Sequence, residues 1–322
     1  NNTISGIFNN VLVGGQSNTN SGNRSTLVGG ICNTSCGYVS FLGGGCINTV
    51  SAGFSFLGGG SNNTVSAYHS SIVGGTLNTG SGCFSFIGGG SRNHIDPSAP
   101  STLDVIVGGR CNCVCTSMGV GSSIVGGCCN SISNVYAGGG FEYNSFIGGG
   151  CKNSISSYSS YGTTAQCGKN VIVGGCCNLM NLGSADGLNF IGGGTSNCVT
   201  SVNSVIVGGT LNTGSGACSG ILGGKNNYVC HANSFIVGSD LSSTAVCYTF
   251  MNNACIAGTT RTQTLVETSA KKHKECVEPL QNQLDNIKKL EPIEFQWKKD
   301  KIKDIGFIAE EVEKIYPNLI AY

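Results

Sequence analysis

Charged residues are scarce in most of this chain. Only 33 of the 322 residues are charged, and only 11 of these lie in the first 260 positions. Recognition of nucleic acid needs a basic patch or stripe that faces the phosphates, and the sequence has none. We therefore expect no nucleic-acid partner.

Long apolar runs are absent as well. The sequence contains no run of about eighteen apolar residues, and no charged segment followed by an apolar one at its start. These absences predict no membrane insertion and no visible secretion signal. Asn1 already fits the repeat described below, so we expect the natural N-terminus to lie upstream of it.

Glycine is abundant and regularly spaced. Of the 52 glycines, 50 precede residue 241, and the last glycine of each cluster recurs every 15 residues in the regular parts of the chain. An asparagine stands three residues after each of these glycines. The asparagines of the regular repeats are Asn18, Asn33, Asn48, Asn63, Asn78, Asn93, Asn197, Asn212 and Asn227. Such a period predicts a stack of similar coils.

Two apolar columns follow when positions are counted from the last glycine as zero. Position 12 is leucine or isoleucine in every regular coil, as in Leu27 and Ile72, and position 5 is often valine, as in Val50. Serine at position 10 shares strand parity with position 12. We predict two short strands per coil in a mostly β fold, a parallel β-roll or β-solenoid, because this density of glycine excludes helix.

The asparagine column is well suited to a ladder. Its amides can bond the backbone of their own turn and the equivalent residue one coil away. Glycosylation is the alternative, and Asn33 and Asn62 begin the required sequons. We favour the structural role.

Each coil supplies only two or three large apolar side chains. We expect this to be too few for one chain to cover both sides of its coils. The sequence therefore predicts a homotrimer in which three chains share one core.

The coils between about residues 95 and 190 are longer than the others, and their excess is expected to form lateral loops. These loops carry the receptor-contact candidates Tyr136, Tyr143, Tyr158 and Tyr161. Exposed tyrosines could bind a host glycan or surface protein, and tolerated insertion is the alternative.

Nineteen cysteines are present, and three of them (Cys128, Cys151 and Cys176) share position 1 of successive coils. We expect a stacked column of small buried side chains. Disulfides are an alternative. A metal site at Cys111, Cys113 and Cys115 is the weakest reading, because C-x-x-C spacing and histidine partners are missing. No metal and no cofactor are predicted.

The residue pattern changes towards the C-terminus, where the glycine repeat ends. Residues 1–240 form the predicted shaft, and residues 241–268 a β-prone transition. The segment ECVEPLQNQLDNIKKL has helical apolar spacing, IEFQWK is typical of a strand, and GFIAEEVEKIYP predicts a second helix. We therefore predict a small α+β domain over residues 269–322.

Two family resemblances can be identified. The segments ETSAKKHKECVEPL, IKKLEPIEFQWK and DIGFIAEEVEKIYPNLI, in that order, resemble the intramolecular chaperone of endosialidase-type phage tail fibres and spikes. The shaft resembles the β-roll head repeats of trimeric autotransporter adhesins and the repeats of some viral fibre shafts.

The chaperone resemblance implies trimerisation, folding of the preceding shaft and, in many members, self-cleavage. Carried to this sequence, the nucleophile would be Ser269, the activating base Lys274 and the scissile bond Thr268–Ser269. A chaperone that stays attached is the alternative. The family usually continues into a coiled coil, so we expect the domain to be incomplete at Tyr322.

These observations predict a structural and adhesive trimeric fibre or spike, an appendage of a virion surface. A cell-surface trimeric adhesin is the first alternative. A glycan depolymerase is the second, although it would need a carboxylate pair and the acids of the shaft are scattered. Any enzymatic activity would be, at most, one serine/lysine cleavage of the chain itself.

Overall fold

The computed structural model describes residues 1–97, 103–116, 121–136, 144–159, 169–183, 187–252, 283–296 and 303–317. The chain divides into two compact units, Asn1–Cys255 and Ile256–Tyr322. The first is a parallel β-solenoid and the second a small α+β unit, which confirms the predicted fold class.

The solenoid has two long parallel sheets, and its strands are numbered in chain order. The odd-numbered strands from β1 to β27, which include positions 4 and 5 of each coil, form a first sheet of 14 strands. Its members are β1 (Thr3–Ile4), β3 (Thr19–Asn20), β5 (Thr34–Ser35), β7 (Thr49–Val50), β9 (Thr64–Val65), β11 (Thr79–Gly80), β13 (His94–Pro97), β15 (Cys113–Thr116), β17 (Ser131–Tyr136), β19 (Ser154–Ser159), β21 (Leu179–Leu182), β23 (Cys198–Val199), β25 (Thr213–Gly214) and β27 (Tyr228–Val229).

The second sheet has 15 strands and contains positions 11 and 12 of each coil. In the longer coils, positions 10 to 13 are the residues that stand five to two places before the next corner glycine. Its members are β2 (Val11–Leu12), β4 (Thr26–Leu27), β6 (Phe41–Leu42), β8 (Phe56–Leu57), β10 (Ser71–Ile72), β12 (Phe86–Ile87), β14 (Val105–Ile106), β16 (Ser123–Ile124), β18 (Phe146–Ile147), β20 (Asn170–Ile172), β22 (Asn189–Ile191), β24 (Val205–Ile206), β26 (Gly220–Ile221), β28 (Phe235–Val237) and β29 (Thr249–Met251). A third line of single parallel bridges joins the residues at position 1 of successive coils, such as Gln16 with Ile31.

The core is a thin double column inside a single chain. Position 12 is fully buried from Leu27 to Ile236, and position 5 is fully buried wherever it carries a large aliphatic side chain, from Val50 to Val229. The serine at position 10 is buried with them. One chain therefore covers both columns by itself, contrary to the expectation from their small number, because the narrow coil brings its two strands close together. The homotrimer stays a prediction.

Glycine is required at the corner that begins each coil. Gly30 has φ of 90°, and a Cβ atom on it would lie 2.2 Å from the carbonyl oxygen of Gly45. Both the backbone conformation and the close approach of the next coil exclude a side chain there. This corner explains the strict period of the glycines.

The longer coils do more than form loops. The strands of the first sheet lengthen in this region, and β17 pairs with β19 over six residues, from Ser131 with Ser154 to Tyr136 with Ser159. Part of the inserted sequence therefore widens the sheet instead of leaving the stack. The alternation of residue types in these inserted segments is typical of a strand, and it could have predicted that the sheet is wider here.

The second unit contains two short helices and one hairpin in its described part. They are α1 (Leu284–Ile287), β30 (Ile293–Gln296), β31 (Lys303–Gly306) and α2 (Ala309–Ile315). The two strands are antiparallel. The predicted strand and second helix are thus present, and the described part of the predicted first helix includes one helical turn.

Candidate functional site

The asparagines at position 3 form a continuous ladder inside the shaft. In Asn33, the side-chain amide donates to Gly29 O at 2.9 Å and to Gly45 O at 2.9 Å. Its Oδ1 accepts the backbone N–H of Asn48 at 2.9 Å. The nine predicted ladder residues are all almost completely buried, so the column ties each coil to the next.

The ladder ends near Asn227. The side chain of Asn227 still donates to Gly238 O at 2.7 Å, but the backbone N–H that its Oδ1 accepts belongs to Leu241. Leucine thus occupies the next asparagine position. The second sheet nevertheless continues for one more strand, where β28 pairs with β29.

The cysteine column is stacked but is not buried. Cys128, Cys151 and Cys176 form consecutive parallel bridges, yet all three are half-exposed. The expectation of buried side chains is wrong because position 1 lies on the outside of the corner. Every cysteine in the described ranges is a free thiol.

Neighbouring thiols and the Arg110 guanidinium shift the pKa values of cysteines in and beside this column. Hydrogen bonds from Cys129 and then Arg110 lower the pKa of Cys128. The same contact raises the pKa of Cys129. Cys128 is therefore the thiol in this cluster that most favours the thiolate form.

Cys113 and Cys115 form a second thiol pair, with sulfur atoms 2.8 Å apart. Their hydrogen bond raises the pKa of Cys113 and lowers that of Cys115. Within the described parts of the chain, no group of three or more His, Cys, Asp or Glu side chains is arranged to hold a metal ion.

One buried carboxylate lies in the core and was missed as a special position by sequence reasoning. Asp104 occupies position 10, where most coils have serine, and is fully buried. Thr116 Oγ1 donates to it at 2.7 Å and Ser122 N–H at 2.9 Å. Burial raises the pKa of Asp104 to about 6, against the lowering effect of these hydrogen bonds. Alignment of the long coils on position 10 would have revealed it.

The tyrosine candidates are only partly placed. Tyr136 and Tyr158 lie in β17 and β19, so their backbones belong to the widened sheet. Tyr143 and Tyr161 lie outside the described residues. Receptor contact by these four residues stays a prediction.

In the described part of the second unit, apolar side chains are exposed or half-buried. Neither α1 nor α2 contains a buried residue. A groove of about 370 Å³ lies between the segment that follows α1 and helix α2. Its lining is mixed: the apolar side chains are Leu290, Ile293, Phe307, Ile308, Val312 and Ile315, and the charged ones are Lys289, Glu291, Glu311 and Lys314. Phe307 is 53% exposed. This groove is the main candidate for protein contact in the unit.

The residues implied for self-cleavage, Thr268, Ser269 and Lys274, lie outside the described residues. Their geometry therefore carries no argument. No helix in the described segments has the length and apolar character needed to cross a bilayer.

Comparison with known proteins gives one family. Residues 269–321 match the family model described as chaperone of endosialidase. No curated protein matches the chain. The chain thus carries a chaperone-of-endosialidase domain at residues 269–321, C-terminal to a β-solenoid shaft.

Proposed function

We propose that this chain is one subunit of a homotrimeric fibre or spike on a virion surface, and that its C-terminal domain directs trimerisation and folding of the shaft. The family match at residues 269–321 is the observation that carries the proposal. The groove beside α2 supports it, because apolar side chains such as Phe307 and Ile308 are exposed there and neither described helix of the unit contains a buried residue.

The shaft gives a physical reason for such a domain. Successive coils have the same glycine corner, asparagine and aliphatic columns. Two neighbouring chains that slipped by one coil would therefore still match most of their surfaces. A trimeric nucleus at one end fixes the register before the long stack forms, when ordering the chains is still entropically unfavourable.

The widened part of the shaft is the proposed region of host contact. The strands β13, β15, β17, β19 and β21 are longer than the others of their sheet. A host glycan or surface protein is the proposed partner of its tyrosines, including Tyr136 and Tyr158.

Deletion of residues 269–322 before folding tests the chaperone role. We expect the truncated chain to aggregate or to remain monomeric, whereas the full chain sediments as a trimer. The deletion should be compared with the full chain at equal concentration by analytical ultracentrifugation. A soluble trimer from the truncated chain would contradict the proposal.

The proposal includes a single cleavage between Thr268 and Ser269. A serine hydroxyl needs a base at neutral pH, and Lys274 can supply it if its own proton is lost. The intact mass of the purified wild-type protein should then be that of residues 1–268, whereas the Ser269→Ala variant should keep its full mass. Equal full masses would show that the domain stays attached, and would leave the trimerisation role untouched.

A further inference from the structure

The outward side of the second sheet is a continuous apolar face. We define the apolar face by the side chains at positions 11 and 13, on either side of the buried position 12. Position 11 contains Thr26, Phe41, Phe56, Ser71, Phe86, Val105, Ser123, Phe146, Val171, Phe190, Val205, Gly220 and Phe235. Position 13 contains Val28, Gly43, Gly58, Val73, Gly88, Val107, Val125, Gly148, Val173, Gly192, Val207, Leu222 and Val237. Neither position carries a charge in any of these coils.

Large and small residues compensate each other along this face. A phenylalanine at position 11 is followed by glycine at position 13 in every coil from Phe41 to Phe190, and a smaller residue at position 11 is followed by valine or leucine. A Cβ atom on Gly43 would lie 3.4 Å from Cε1 of Phe41, so the ring lies over the glycine. The backbone also requires glycine there, since the Gly58 carbonyl oxygen is nearer still at 2.2 Å. Each coil thus presents at least one phenylalanine, valine or leucine side chain on this face, at position 11 or at position 13.

The face is large for the surface of a single chain. Val73 is 50% exposed, Val107 51% and Leu222 57%. If each coil exposes roughly 70 Å² of apolar side chain, the face totals on the order of 900 Å², more than the largest apolar patch of a typical monomer and close to one side of a standard protein interface. The outward positions of the first sheet differ, because they carry mainly threonine, serine and cysteine.

We propose that the apolar face is buried against other copies of this chain and lines the central axis of the assembled shaft. This inference rests on the proposed trimer and names the surface that forms it. The occupant must be uncharged, run the length of the shaft and repeat at the coil spacing of about 4.8 Å. A parallel copy of the same shaft meets all three conditions, because rotation about an axis along the shaft places like coils side by side.

Hydroxyl-radical footprinting of the full chain tests the proposal with internal controls. Phe54 and Phe56 lie in one coil, and Phe84 and Phe86 in another. In the isolated chain they are similarly accessible, 48% and 38% for the first pair and 49% and 38% for the second. In the assembly, Phe56 and Phe86 should be oxidised several-fold more slowly than Phe54 and Phe84. A trimer in which Phe56 and Phe54 react equally would overturn the inference and leave the proposed function standing. A wild-type monomer would overturn both.

A matched pair of lysine substitutions supplies the second measurement. Val207 belongs to the apolar face, and Thr200 lies on the other sheet of the same coil, exposed to solvent. Val207→Lys should raise the oxidation rate of the neighbouring Phe190 several-fold, or convert the trimer to monomer, while Thr200→Lys leaves both unchanged. Circular dichroism checks that both variants keep their β content. Unchanged protection of Phe190 in a trimeric Val207→Lys variant would contradict the proposal.

Discussion

The two units of the chain treat apolar side chains in opposite ways. In the shaft, position 12 is fully buried from Leu27 to Ile236 although each coil is only two strands wide. In the described part of the C-terminal unit, neither helix buries a residue, and Ile305 is 75% exposed.

The difference concerns which apolar side chains are covered within the chain itself. A coil of the shaft is covered by the coils before and after it in the same chain, so its core closes without another subunit. The described part of the C-terminal unit contains no such stack of repeated coils. Its groove beside α2 is therefore the place where we expect subunit contacts to have the largest consequence.

The largest expected effect comes from a charge in that groove. Phe307→Asp should prevent trimerisation of the full chain, because a carboxylate would have to be desolvated where an apolar ring was buried. It should hardly alter the isolated unit, since Phe307 is already 53% exposed. Analytical ultracentrifugation measures the outcome, with Glu310→Gln on the exposed side of α2 as the control. If the Phe307→Asp variant still formed a normal trimer, the groove would not be a site of subunit contact.

The shaft core provides the next effect. Ile155→Ala should lower the free energy of unfolding by about 2 to 5 kcal/mol, because a fully buried side chain leaves a cavity. Its neighbour Ser156 faces outward, and Ser156→Ala should change that free energy by less than about 0.5 kcal/mol. Denaturant unfolding followed by circular dichroism compares the two variants. Equal stabilities would mean that the single-chain core contributes little.

The ladder should contribute almost as much. Asn63 donates to Gly59 O and Gly75 O at 3.1 and 2.8 Å and accepts from Asn78 N–H at 2.9 Å. Asn63→Ala leaves these buried groups without partners, and we expect a loss of about 3 kcal/mol.

The adjacent Asn62 is exposed and has φ of 56°. Asn62→Gly is therefore the matched control, with little change expected in the same unfolding experiment. A loss at Asn62 as large as that at Asn63 would argue against a specific role for the ladder.

The smallest effect concerns the buried carboxylate. Burial raises the pKa of Asp104 from 3.8 to about 6, so the folded state favours the protonated acid. The shaft should therefore lose stability as the pH rises from about 4 to about 6. Asp104→Asn should remove this dependence and be more stable at neutral pH by on the order of 2 kcal/mol, since each pKa unit corresponds to about 1.4 kcal/mol and the amide gives up charge-assisted bonds.

Melting temperatures measured at several pH values test this expectation. Asn189 occupies position 10 in a later coil, is buried, and accepts the Ser204 N–H at 2.9 Å. Asn189→Asp should introduce a second, similar pH dependence. A wild-type shaft that is equally stable at about pH 4 and at about pH 7 would contradict the assignment.

Much of the fold could be predicted from regular spacing. The glycine period located the corners, and the alternation from Ser25 to Leu27 located the second sheet. Two features were not predicted, because they depend on how neighbouring coils are placed in space. The outward exposure of Cys128 and the widening of the sheet at Tyr136 follow from how each corner turns and from which inserted residues find strand partners. The cleavage site stays a prediction, because Ser269 and Lys274 were assigned by resemblance and lie outside the described residues.

By itself, the sequence determined that this protein is a stack of coils with a C-terminal domain of different character, because glycine corners and alternating aliphatic residues permit few other folds. Only the tertiary structure decided which surfaces are closed within one chain and which are left for others. Ile124 is fully buried because the two sheets lie close together. The next residue, Val125, points away from the sheets, so its exposure depends on what packs against the outer surface of the shaft. The burial of a side chain depends on which residues lie close to it in space. The residue pattern specifies these neighbours only within the stack of coils.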